Sequence, residues 1–102
     1  MLSLSQIDRV VDKAASAVLK RSRVSRVYSD FTTDSIGQDA LLVTIVIRDN
    51  KAEEITGDNA VDAIVRIRHA LHKSGEERFP IIEFATEAEL EAELEADANP
   101  EP

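Results

Sequence analysis

At 102 residues the chain has the length of one domain, and 43% hydrophobic residues with only 4% aromatics means its single core must come from Val, Ile, Leu and Ala. The lack of cysteine excludes disulfides and thiolate-held metals, and no run nears the ~20 apolar residues of a membrane span. The formal charge of −8 sits almost wholly beyond Ala85, where Glu87, Glu89, Glu91, Glu93, Glu95, Asp97 and Glu101 meet no Lys or Arg; the near-neutral remainder and acidic total argue against a dedicated nucleic-acid binder.

The first residues, Met1 to Asp8, lack the basic-then-apolar pattern of a secretory leader, so a cytoplasmic location is expected. Ser5 with Asp8 approximates a capping box, and Ile7, Val10, Val11, Ala14 and Val18 recur at three- and four-residue steps. These signals predict a helix over 5–22, closed by Lys20, Arg21 and Arg23, whose charges suit its negative end. Residues 24–31 alternate, Val27 and Phe31 to one side, Arg26, Tyr28 and Asp30 to the other, as a half-exposed strand does. Residues 32–39, with Asp34, Ser35 and Gly37, have the chemistry of a turn. Residues 40–48 are apolar at both parities, which predicts a central strand covered on two faces.

After a polar connection, Thr56 or Asp58 can cap a second helix with an apolar face of Val61, Ile64, Val65, Ile67, Arg68 and Leu71, ended by Ser74-Gly75. Residues 78–85 predict a third strand, placed at an edge by Pro80. Thr86 and Glu89 form another capping box before an acidic helix carrying Leu90 and Leu94, and 97–102 is expected to be disordered. The expectation is an α+β domain over 1–85, two helices on a three-stranded mixed sheet in the order α-β-β-α-β, followed by an acidic helix and tail over 86–102. The crossover between the second and third strands is expected to be right-handed. Two helices cover one sheet face only, so the two-sided strand calls for a homodimer or a protein partner on the other.

Chemistry-bearing groups are few. His69 and His72 share a helix face near Glu76, but two surface imidazoles without a fixed third ligand are read as ordinary surface residues, and no metal is expected. Lys20, Arg21, Arg23 and Arg26 cluster between the first helix and strand, available to phosphates or to the acidic tail, though few aromatics stand by to stack bases. Asp30, Asp34, Asp39 and Glu83 fall in or beside strands, where turn and edge chemistry accounts for them, and no phosphate loop, nucleophile set or zinc motif occurs. No catalytic residue and no cofactor is assigned. Leu90 and Leu94 need a surface to dock on and are candidate partner contacts.

The run Val27-Tyr28-Ser29-Asp30-Phe31, the loop with Ser35 and Gly37, and Asp39-Ala40-Leu41-Leu42-Val43 resemble the minimal nucleotidyltransferase domain across residues 5–84. The resemblance matches Asp39 to that family's first metal-binding aspartate and Glu83 to its third carboxylate. Leu41 stands where the second aspartate falls, and no Gly-Ser precedes Asp30, so the resemblance implies an inactive, antitoxin-like copy that binds a small helical partner. A looser likeness to KH-type domains lacks their Gly-x-x-Gly. The expectation is therefore a small regulatory protein acting without catalysis through itself or another protein. A nucleic-acid-binding module and a nucleotidyltransferase-like enzyme are the alternatives.

Overall fold

In the computed structural model, which describes residues 2–98, six main elements follow one another. They are α1 (Leu4–Leu19), β1 (Val24–Thr33), β2 (Asp39–Ile47), α2 (Gly57–Lys73), β3 (Phe79–Thr86) and α3 (Glu87–Ala98), with a 3₁₀ turn at Asp49–Glu54. The strand order is β1-β2-β3; β1 runs antiparallel to β2, and β3 parallel to it. The fold is thus α+β with a mixed three-stranded sheet, as the patterning predicts, and Pro80 does lie on an edge strand.

The first helix begins earlier than its periodicity suggests. Ser3, not Ser5, caps it: the Ser3 hydroxyl accepts from the Gln6 N–H at 3.2 Å while the Gln6 side chain accepts from the Ser3 N–H at 2.9 Å. Gln6 is long enough to reach back to the cap. Asp8 is drawn elsewhere, accepting from the Ser29 hydroxyl of β1. The helix also ends earlier, because Lys20 takes a positive φ of 74°. Arg21 and Arg23 therefore lie in the turn beyond the helix rather than in its last turn.

One face of the sheet carries the core. Leu41, Val43, Ile45 and Ile47 of β2 pack with Ile7, Val11, Ala15 and Leu19 of α1 and with Ala63, Ile67 and Leu71 of α2. Alanines in the cluster let the two helices approach closely. Val61 and Val65, expected in the α2 apolar face, are exposed instead. Each lies two positions, about 200°, round the helix from the Ala63–Ile67 stripe, and so faces away from the sheet. A Gly75 with φ +95° closes α2, its N–H donating to the His72 carbonyl and the Glu76 N–H to the Leu71 carbonyl, both at 3.0 Å. Glycine takes that left-handed conformation without Cβ strain.

From Ala40 to Ile47 every residue of β2 is buried except Leu42, which is half-buried. The two-sided shielding expected of this strand is present, but part of its second cover comes from within the chain. Val46 and Leu90, 1% and 8% exposed, stand outside the helix-side core, and α3 contacts both β2 and β3. The acidic helix thus folds back over one end of the second face. Asp97 and Ala98, expected to be disordered, close that helix, and the rest of the expected disordered tail lies outside the described residues.

Candidate functional site

Strand register sorts the side chains of the second sheet face. Arg26, Tyr28 and Asp30 of β1 stand beside Val46, Thr44 and Leu42 of β2, and those beside Ala85, Glu83 and Ile81 of β3. At the end near Val46, α3 provides cover. Its first turn is anchored twice: Asp49 Oδ1 accepts from the Ala88 N–H at 2.9 Å, and the Glu87 carboxylate accepts from the Asp49 N–H and the Ser25 hydroxyl. Thr86 caps the helix as the sequence predicts, its hydroxyl accepting from the Glu89 N–H and donating to Glu89 Oε1, both at 3.1 Å; the return bond comes from the hydroxyl and not from the Thr86 backbone, so only half of the expected capping box forms. In the middle, the buried Thr44 hydroxyl donates to Glu83 Oε1 at 3.1 Å. Towards the far end, where Asp30 and Thr32 also stand, Ala40 is buried and the larger apolar side chains are partly exposed. Leu42 is half-buried beside Ile81, which is 37% exposed, and Phe79 is 56% exposed with the Arg68 guanidinium 4.8 Å from its ring.

A buried ion pair in the turn after α2 ties that turn to Leu2, just before α1. Arg78 donates through Nε and Nη2 to the two Glu76 oxygens at 2.9 and 2.8 Å, and its backbone N–H donates to Glu76 Oε2 at 3.0 Å. Glu76 Oε1 also accepts from the Leu2 N–H, and Arg78 Nη2 donates to the Leu2 carbonyl. The hydrogen bonds from Arg78 pull the Glu76 carboxyl down to about 2 against the opposing effect of burial. The Arg78 guanidinium, raised in turn by Glu76, lies 4.5 Å from the Phe31 ring. No periodic signal in the sequence points to this pair; Glu76 simply follows the glycine that ends α2.

The basic cluster is largely answered by neighbouring acids. Arg21 pairs with Asp12 at 3.1 Å and Arg23 with Glu54 at 3.2 Å, while Arg26 lies over Tyr28 and Lys20 is exposed. Lys51 also pairs with Glu54, and its hydrogen bond is the leading cause that lowers the Glu54 carboxyl. The acidic helix does dock near this cluster, but its hydrogen bonds run to Ser25 and Asp49 rather than to Lys20, Arg21, Arg23 or Arg26. Leu90 is consumed by that docking, whereas Leu94 remains 54% exposed.

The carboxylates do not converge. Glu83 is level with Thr44, five residues along β2 from Asp39, which separates the two by about 16 Å along the strands and puts them on opposite faces. Asp34 is engaged in its own turn, accepting from the Ile36 and Gln38 N–H groups, and Asp30 accepts from the Phe31 N–H. His69 and His72 are exposed on α2, and Glu76, the third group near them, is held by Arg78. Among the described residues no group of three His, Asp or Glu side chains is placed to hold a metal ion, and no helix is long and apolar enough to cross a membrane. Set against protein-family models, curated proteins and solved structures, the chain matches none.

Proposed function

We propose that this is a small non-catalytic regulatory protein that works by association, with a second copy of itself or with a protein partner, in the manner of an antitoxin-like subunit. The observation that carries the reading is the end of the second sheet face where Ile81 and Phe79 are exposed beside the half-buried Leu42. Large apolar side chains gathered at one place on a small domain mark a contact surface more often than scattered ones do. The separation of Asp39 from Glu83 and the capture of Glu76 by Arg78 favour binding over chemistry. A cytoplasmic setting accords with the cysteine-free composition.

Light scattering on the purified chain, together with affinity capture from its host, tests this. The expected result is a dimer, or a retained protein, whose association is lost in Ile81→Asp while the fold is kept. A strict monomer that retains nothing refutes the proposal.

A further inference from the structure

The association proposed above has a second geometric element, the free edge of β1. We infer that two copies of this chain join β1 to β1 antiparallel about a two-fold axis at Tyr28, merging the two three-stranded sheets into one. The inference rests on the reading that the protein works by association, and it names a second copy as the occupant of this edge.

Exposed strand edges invite pairing, and proteins usually blunt them with proline, shortness or charge. The β3 edge carries Pro80. By contrast, β1 is ten residues long without proline, and its one irregularity lies at its start, between Val24 and Arg26. From Arg26 to Thr33 its register against β2 is unbroken.

The hydrogen-bond phase of that edge follows from its far end. The Asp34 N–H donates to the Gln38 carbonyl at 2.9 Å, one step beyond the Thr33–Asp39 pair. Antiparallel ladders alternate, so Arg26, Tyr28, Asp30 and Thr32 turn their backbone groups to β2. Val27, Ser29 and Phe31 therefore turn theirs outward, where in the single chain the Phe31 N–H donates to the Asp30 carboxylate. In a pairing centred on Tyr28, Val27 meets Ser29 of the second copy as a hydrogen-bonded pair, and Ser29 meets its Val27. Tyr28 meets its own counterpart at the close, non-hydrogen-bonded position.

Charge selects this register. Arg26 and Asp30 lie two residues either side of Tyr28 on the same sheet face, and neither forms an ion pair among the described residues. Centred on Tyr28, Arg26 faces Asp30 of the second copy, and the symmetry repeats the pair. Centring the strands on residue 26 sets Arg26 against itself, and centring on residue 30 does the same for Asp30. Like charges directly opposite are destabilising. Centring on Val27 or Ser29 keeps the faces but sets Arg26 opposite Tyr28 or Thr32 and so forgoes both ion pairs, while slipping one strand by a single residue turns every side chain to the wrong face. The paired sheet also brings two copies of the Leu42–Ile81 face onto one continuous surface.

The test is a charge swap on the full chain. Arg26→Asp, Asp30→Arg and the double variant R26D/D30R are compared with the wild type by light scattering and sedimentation, at concentrations up to about 0.1 mM, where even weak self-association registers. Arg26 and Asp30 are exposed, so all three variants are expected to fold, and circular dichroism verifies it. The wild type is expected at twice the 11.2 kDa chain mass. Each single reversal, placing like charges opposite each other twice, is expected to weaken the dimer about tenfold or more, and the double variant to restore it to within about threefold. A wild-type monomer overturns the inference yet leaves a different protein partner open. A dimer that ignores both reversals but dissolves in Ile81→Asp overturns edge pairing while upholding association through the sheet face. Failure of the folded double variant to recover overturns it as well.

Discussion

Glu76→Gln is the substitution whose consequence the structure sets most fully. The Glu76 side chain is 0% exposed and Arg78 13%, and the pair also ties Leu2 to the turn after α2. Its carboxyl titrates at about 2 when folded, against 4.5 for the free group, because the ionised form is hydrogen-bonded by Arg78. A folded value below the unfolded one stabilises the native state above the unfolded value and loses that contribution as pH falls towards the folded value. The difference corresponds to about 3 kcal/mol at neutral pH, in line with the cost of orphaning one member of a buried pair. For a domain of this size that lowers Tm on the order of 12–24 °C. Gln is the neutral counterpart of a protonated Glu, so the deficit should halve at about pH 3 and nearly vanish at the folded value. Urea unfolding of both proteins from pH 7 down to pH 2.5 measures it. A deficit below about 1 kcal/mol at pH 7, or one that does not shrink with acid, would show that the ionised Glu76–Arg78 pair does not stabilise the fold.

Lys20→Gly should raise stability by about 1 kcal/mol in the same assay, since glycine relieves a side chain held at φ 74°. Gly75→Ala should lower it by at least about 1 kcal/mol, because φ +95° at the end of α2 is strained for any Cβ even with open space around it. Leu90→Ala should cost about 2 kcal/mol and, in hydrogen exchange, speed the amides of α3 and of β2 near Val46, marking release of the acidic helix. Unchanged exchange in that variant would mean α3 is held by its Asp49 and Glu87 contacts alone.

Much of the fold was legible because its signals are local. The apolar stripe of Ile7, Val11 and Ala14, the double-sided run from Leu41 to Ile47, the Thr86 cap and the glycine after Ser74 each report on a few neighbouring backbone groups. Where local signals compete, they misled by up to three residues. Ser3 won the cap from Ser5 because Gln6 reaches back and Asp8 bonds across to β1. Val61 and Val65 were grouped with Ile67 and Leu71 on one apolar face, but they lie about 200° round the helix from the Ala63–Ile67 stripe and stay outside the core. Of the candidate surface, the basic cluster was visible as a run of residue types, but its partners Asp12 and Glu54 were not, since one comes from α1 and the other from the turn after β2.

From the order of its residues alone this chain specified its elements, its central strand and the acidity of its last helix, because helix and strand periods and caps act over short stretches of backbone. Only the tertiary arrangement decided that Leu90 serves the chain's own sheet, that Glu76 is held by Arg78, that Asp39 and Glu83 part to opposite faces, and that Ile81 and Phe79 remain exposed. Those outcomes depend on which strands lie side by side and in what register, and pairing between residues 39 to 74 positions apart leaves no trace in any short window of sequence.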